Sequence, residues 1–359
     1  MPDRIVAAGA LRSYMERVFA AEGFSDCDAV KIADVLMQAD LFGIESHGAQ
    51  RMMYYHQNIA SGSVNVKAEI EVVRETPVSA LLDGHFAMGQ LCGAKAMEMA
   101  IAKAKRTGIG MICVRNSSHY GIAGYYPLMA VREGLCAFSM TNTGPIMVPT
   151  FGREMMLGTN PIAFSMPADP VPFWFDASTT VVTLGKVEVH AKRGAPMPQG
   201  WTIGADGSAQ TDAAAANRAI LSGDMGGILP LGGAGEARSG HKGYGLAIMV
   251  EALTAVLAQG LLCPEMQGAH GDHTSHFFLA FDPAMFGDPE DIRKRMSRYL
   301  KMLRESEKLP GESRIYTPGE KAFEAQARRM AEGIPVEENT YQELERIAQE
   351  LCVEGLGMR

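Results

Sequence analysis

The sequence predicts an α/β protein whose two ends are helical and whose middle mixes strands with helices. Three observations carry this. Apolar residues recur at helical spacing in the first sixty positions and again beyond residue 289. Between them, continuous apolar runs such as Gly110 to Val114 and Leu135 to Met140 read as strands covered on both faces. No strand–helix unit carries the G-x-G-x-x-G fingerprint with an acidic residue about 20 positions on, so a Rossmann unit is not expected. The nearest match, Gly233-Ala234-Gly235-Glu236-Ala237-Arg238, lacks the last glycine and follows no clear apolar strand. The 359 residues suffice for two domains. The expected division is a discontinuous helical domain from 1–65 with 290–359, and an α/β domain over 66–289.

Composition narrows the class. Hydrophobic residues make up 47% and charged residues 21%, ordinary for a globular protein. The net charge is 33 − 41 = −8, which argues against nucleic acid as a partner. A local arginine can still receive a small anion. None of the six cysteines forms a C-x-x-C pair, so reduced thiols and a cytoplasmic setting are expected. The start, Met1-Pro2-Asp3-Arg4-Ile5, lacks a signal-peptide core. The longest apolar stretch, Gly243 to Leu262, holds Glu251 and Gln259 and reads as a buried helix, not a membrane span.

In chain order, Leu11 to Ala21 is helical by pattern. Ser25-x-x-Asp28 resembles a capping box opening a second helix that ends at Gly43. Ser46 and His47 are read as opening a further helix through Arg51, Met52 and Tyr55. Glu69 to Arg74 and Ser79 to Leu82 suit a hairpin. Gly89 to Lys105 is a helix stopped by Gly108. The strand Gly110 to Val114 leads through Asn116-Ser117-Ser118-His119-Tyr120-Gly121 into a helix from about Ile122 to Glu133. Strands follow at Leu135 to Met140, Ile162 to Ser165, Phe173 to Asp176 and Phe277 to Phe281, with a loop at Gly204 to Asp212. Gly226 to Gly245 holds eight glycines and feeds a helix from Leu246 to Leu261. Pro289 to Glu305, Glu320 to Gly333 and Tyr341 to Cys352 are amphipathic helices.

Two histidines draw attention. His47 precedes Arg51 by four residues, which places both on one helix face. Arg51 offers a planar fork for a carboxylate, His47 can pass a proton, and Ser46 can steer it. At a helix N-terminus the His47 pKa would fall. His119 lies between a buried strand and a helix start, where α/β sheets often bind ligands. A capped helix with a surface arginine would give the same spacing. His270-x-Asp272-His273-x-x-His276 offers metal-ligand residue types, but its spacing fits no specific motif and it reads as a loop. No G-x-S-x-G elbow is present.

The motifs together resemble one family. Asp40-Leu41-Phe42-Gly43-Ile44-Glu45-Ser46-His47-Gly48 is similar to the N-terminal signature of the malate/L-lactate dehydrogenase type 2 family, which includes sulfolactate and ureidoglycolate dehydrogenases and imine reductases. Asn116 to Gly121, Gly124-Tyr125-Tyr126, Thr141-Asn142, Leu157 to Pro161, Gly185-Lys186, Pro230 to Gly233, Gly243 to Leu246 and Pro318-Gly319-Glu320 match in order. The resemblance implies a non-Rossmann mixed-sheet domain binding NAD or NADP in an extended pose, usually in a homodimer. It implies hydride transfer at C2 of a small 2-hydroxy or 2-oxo acid, or, as an alternative, reduction of a cyclic 2-imino carboxylate. His47 resembles the proton donor and Ser46 its relay, with His119 taking the acid–base role in some members. Arg51 and Thr159 resemble substrate contacts. His119, Tyr120, Gly121, Ile122 and Ala123, then Asp176, Ala177 and Ser178, then Pro318, Gly319 and Glu320, resemble cofactor contacts. The sequence departs after Asp176, where Ala177-Ser178-Thr179-Thr180 replaces the family's Met-Ala-Thr-Ser. A metal-dependent lyase or hydrolase, and a binding protein without turnover, are the competing classes.

Overall fold

The chain begins with a short strand, β1 (Arg4–Val6), and two helices, α1 (Ala8–Ala21) and α2 (Asp26–Leu41). The structure is a computed structural model and describes residues 3–267 and 273–357. Ser25 caps α2 as its spacing predicts, its Oγ accepting the Asp28 N–H at 3.2 Å. Two single 3-10 turns, Glu45–His47 and Ala49–Arg51, then lead into α3 (Met52–Ala60). His47 is therefore not at the N-terminus of an α-helix, and Gly48 breaks the regular spacing to Arg51.

The middle of the chain builds a seven-stranded sheet. β2 (Glu71–Glu75) and β3 (Ser79–Asp83) form the expected hairpin, and α4 (Gly89–Thr107) crosses to β4 (Ile109–Ser117). Gly108 ends α4 in the left-handed conformation, at φ 86°. After α5 (Tyr125–Arg132) come β5 (Cys136–Thr141), β6 (Ile162–Met166) and β7 (Phe173–Ala177). A small lobe interrupts the sheet: α6 (Leu184–Arg193), β8 (Thr202–Ile203), β9 (Ala209–Gln210), α7 (Ala213–Ser222) and β10 (Gly227–Ile228), around Val148, Val182, Val187, Ile220 and Ile228. The Asp-Gly turn expected within the Gly204 to Asp212 loop is present, Asp206 and Gly207 forming the turn of the β8–β9 hairpin. α8 (Gly240–Glu251) starts six residues before the expected Leu246 and runs on through a wide π turn, Ala252–Val256. β11 (Thr274–Phe281) returns into the centre of the sheet, whose order is β2-β3-β4-β11-β5-β6-β7. Only β3 and β4 run parallel, so the sheet is mixed, and no Rossmann topology is seen.

The chain closes with α9 (Pro289–Glu305), α10 (Glu320–Glu332), β12 (Ile334–Val336) and α11 (Glu338–Glu350). β12 pairs antiparallel with β1. Leu11, Tyr14, Met15, Ile32 and Leu36 share one core with Tyr341, Leu344 and Ile347. The N-terminal helices thus share a core with β12 and α11. α10 reaches the sheet instead, setting Phe323 against Phe42, which in turn meets Trp174. Among the described residues, no helix is long and apolar enough to cross a membrane.

Candidate active site

Sheet register gathers the candidate segments. Ser117 pairs with Thr274, His276 with Thr141, Met140 with Ile162, and Ile162 with Ala177. The segments that leave β4, β5 and β7 and the one that enters β6 therefore open on one end of the sheet. His119, Thr143, Thr159 and Ser178 all lie on those segments. β4 and β6 are three strand spacings apart, roughly 14 Å.

The two histidines meet at this end. Their ring centroids are 5.4 Å apart. Ser46 Oγ lies 2.8 Å from His47 Nδ1. Arg51 is braced from behind, its Nε donating to the Ser46 carbonyl at 2.7 Å, while its guanidinium lies 5.9 Å from the Tyr54 ring centroid. Tyr55, unremarked as a site residue in the sequence, completes the group, with its hydroxyl 2.6 Å from His119 Nδ1. The spacing His47, Arg51, Tyr55 was the available signal. The Gly121 N–H also addresses His119 Nδ1, at 3.4 Å. An amide can only donate, so Nδ1 carries the lone pair and the Tyr55 hydroxyl donates to it. Nε2 is then the protonated nitrogen of the neutral ring.

The electrostatics follow from burial and charge. Burial, then the neighbouring His119, then Arg51 push His47 down to about 3. Burial, then Arg51, then His276 push His119 down to about 3. The fall expected for His47 thus occurs, but its causes are desolvation and positive neighbours rather than a helix N-terminus. Both rings are therefore neutral at pH 7.

Three further segments converge round Trp174. The Trp174 Nε1–H donates to the Gly124 carbonyl at 2.8 Å, and the Gly124 N–H donates to Asp176 at 2.7 Å. A Cβ on Gly319 would stand 3.0 Å from the Trp174 Cβ. The stretches His119 to Ala123, Asp176 to Ser178, and Pro318 to Glu320 therefore border one region. Their side chains are largely committed. Tyr120 stacks on His276 at 4.4 Å and on Tyr126 at 4.8 Å, and Ile122 and Ala123 lie in the main core. Burial pushes the Asp176 carboxyl up to about 6, against the Gly124 amide that lowers it. Glu320 accepts from Arg304 and from the Thr317 N–H, both at 3.0 Å. Ser178 and Thr180 bond each other at 3.1 Å, with Ala177 closing β7. What this region offers a ligand is mainly backbone.

Thr159 is held on the other side. Its N–H donates to Thr143 Oγ1 at 3.0 Å and the two hydroxyl oxygens are 3.4 Å apart. Beneath them lies Glu251, another residue the sequence left without a role. Its buried carboxylate accepts from Asn142, Asn160, the Cys263 N–H and the Cys263 thiol. Four donors on one acceptor-only group tie the Thr141 to Thr143 and Gly158 to Asn160 segments together.

The metal alternative fares differently. His270 and Asp272 lie outside the described residues. His276 is not in a loop but fully buried on β11, hydrogen-bonded to Thr141 and Ser117 at 2.8 Å each. His273 packs edge-on against Phe86. Among the described residues, no three His, Cys, Asp or Glu side chains are grouped to hold a metal.

Known proteins carry the same architecture. Residues 6–345 match the family model for malate/L-lactate dehydrogenase. A malate dehydrogenase of Pyrococcus horikoshii is 42% identical over 348 residues, covering 96% of this chain and 95% of that one. An L-sulfolactate dehydrogenase of Methanocaldococcus jannaschii is 35% identical over 336 residues, covering 92% of each. The solved malate dehydrogenase of Entamoeba histolytica superposes with a TM-score of 0.95 at 33% identity, over 98% of this chain and 99% of that one. With the whole fold and nearly the whole length in common, this chain belongs to the malate/L-lactate dehydrogenase family of NAD(P)-binding oxidoreductases.

Proposed function

We propose that the protein interconverts a small 2-hydroxy acid and its 2-oxo acid, of malate or lactate type, with NAD or NADP as cofactor and as a homodimer. The observation that carries this is the His47–His119 pair at 5.4 Å with Arg51 acting on both rings. The bound nicotinamide supplies the hydride chemistry at C2. The protein's part is binding, orientation and the proton.

Arg51 binds the substrate carboxylate through its guanidinium, whose Nε is already fixed on the Ser46 carbonyl. In the oxidising direction His47, neutral in the free protein, accepts the proton from the C2 hydroxyl. Ser46 holds its Nδ1 side. In the reducing direction the substrate carboxylate offsets the Arg51 charge, which eases protonation of His47 before it donates. His119, its Nδ1 held by Tyr55, is the second candidate for the proton and marks the junction with the cofactor. Thr159, with Thr143, presents hydroxyls to the substrate. The backbone of His119 to Ala123, Asp176 to Ser178, and Pro318 to Glu320 lines the cofactor groove.

A panel of 2-oxo acids and cyclic imines, assayed with NADH and with NADPH, tests the reading. Turnover of 2-oxo acids is expected, and turnover of imines alone would move the assignment to imine reduction. His47→Ala is expected to lower kcat by about 10²–10⁴. A kcat retained in that variant, and lost in His119→Ala, would transfer the proton to His119.

A further inference from the structure

Asp40 stands in the last turn of α2 and is 3% exposed. Its Oδ2 accepts the Ala49 N–H at 2.8 Å. Gly48 lies directly against it: a Cβ there would come within 2.0 Å of Asp40 Oδ1. Gly48 and Ala49 are the link between the 3-10 turn that ends at His47 and the one that ends at Arg51. The same corner is fastened from the far end of the chain. Arg329, 7% exposed on α10, donates to the Asp40 carbonyl at 2.6 Å and to Glu45 at 2.5 Å.

We infer that Asp40 is a positioning residue for the reaction: its carboxylate holds the Gly48–Ala49 link and so sets the spacing between His47 and Arg51, with Arg329 closing the clamp. This rests on the proposed roles of those two residues. The Arg51 side chain bonds across the two turns to the Ser46 carbonyl, but the backbone between them is Gly48–Ala49, and the Asp40 carboxylate is the side-chain acceptor that holds it. A small displacement of a proton donor from a substrate anchor is costly in rate.

The clamp is sensitive to pH. Burial pushes the Asp40 carboxyl up to about 7, against the Ala49 amide and Arg329, which lower it, while Glu45 raises it. Arg329 and Glu45 face Asp40; on the other elements packed on α2, Arg12 of α1 pairs with Asp34 and Glu98 of α4 with Lys31, both at least six residues away. An ionised Asp40 makes a charge-assisted bond to Ala49, stronger than that of the neutral acid. The hold therefore tightens as pH rises through neutrality.

Asp40→Asn keeps the shape and an acceptor but removes the charge. The wild-type to D40N ratio of kcat/KM for a 2-oxo acid is expected near one at about pH 5.5. It should rise about three- to tenfold by about pH 8.5, with the affinity for reduced cofactor unchanged. A ratio that stays flat with pH overturns the proposal, because a purely structural residue would lower activity equally throughout. Should D40N fail to fold, Arg329→Lys is expected to raise KM for the 2-oxo acid several-fold at constant cofactor affinity, and an unchanged KM overturns it. If the wild type turns over no 2-oxo acid with either cofactor, the functional reading fails by itself. The Ala49 amide resonance then tests the clamp directly. It should titrate near neutral pH in the wild type and not in D40N, and a silent amide refutes the contact.

Discussion

Arg51 does two things that bear on each other. It offers a fork to a carboxylate, and its charge adds to burial in holding both neighbouring imidazoles below their ordinary range. Arg51→Met separates the two. Loss of a charged hydrogen-bonding partner, worth about 1.5–3 kcal/mol, should raise KM for the acid about 10- to 100-fold while kcat changes less. The sign of the pH effect follows from the histidines. Oxidation needs a neutral base, so kcat/KM falls as pH drops through the folded pKa. In the wild type that lies near 3, so the histidines themselves give no acid limb above about pH 5, and only the Asp40 dependence of about three- to tenfold remains near neutrality. Removing Arg51 removes one lowering cause, so the limb moves upward. It stays below the ordinary histidine value, because burial is the larger cause and remains. A limb that does not move in Arg51→Met would show that Arg51 does not act on the proton-handling ring.

At the scale of elements, the site depends on close backbone approach at Trp174. Gly319 has φ 98°, and an added Cβ would press on the Trp174 backbone and Cβ at 3.0–3.3 Å. Gly319→Ala is expected to cost about 1–3 kcal/mol, lowering Tm by several degrees, and to weaken cofactor binding more than substrate binding. Cofactor titration of the purified variant checks this, and equal losses for both ligands would place the groove elsewhere. Most of these elements were legible in the sequence, because strong periodicity and turn chemistry agree. α9 runs from Pro289 to Glu305 as its pattern predicts, and Ser25 and Gly108 bound helices as expected. The exceptions have physical causes. α7 buries only Ala213, Ala216 and Ile220, so its stripe is too faint to read, although Asp212 caps it. The helix expected at Ser46 becomes two 3-10 turns, because Gly48 must fit against Asp40. His47, Arg51 and His119 were visible as chemistry in short motifs. Tyr55 was marked only by its spacing from His47 and Arg51, and Glu251 and Asp40 by nothing, since one acts on residues distant in sequence and the other through a backbone bond that no spacing encodes.

The whole molecule is held by its ends and left open along one helix. β1 and β12 zip the termini together, with the Tyr14 hydroxyl reaching the Leu344 carbonyl. α8 and its π turn are different. The stretch was expected to be a buried helix, yet only one side is covered. Val250 packs against Met140 and Phe277 of the sheet. Leu246, Ile248, Met249, Val256 and Leu257 remain 38–57% exposed. A helix apolar all round is stable when both faces are covered, and a single chain covers one. The second face is therefore where a second copy of the chain is expected to pack in the proposed homodimer. Sedimentation or light scattering at micromolar concentration should give twice the chain mass for the wild type. Leu257→Glu, with a charge placed at 55% exposure in the patch, should halve it without unfolding the monomer. A wild type that sediments as a monomer, or a Leu257→Glu variant that stays dimeric, would assign this face to something other than self-association.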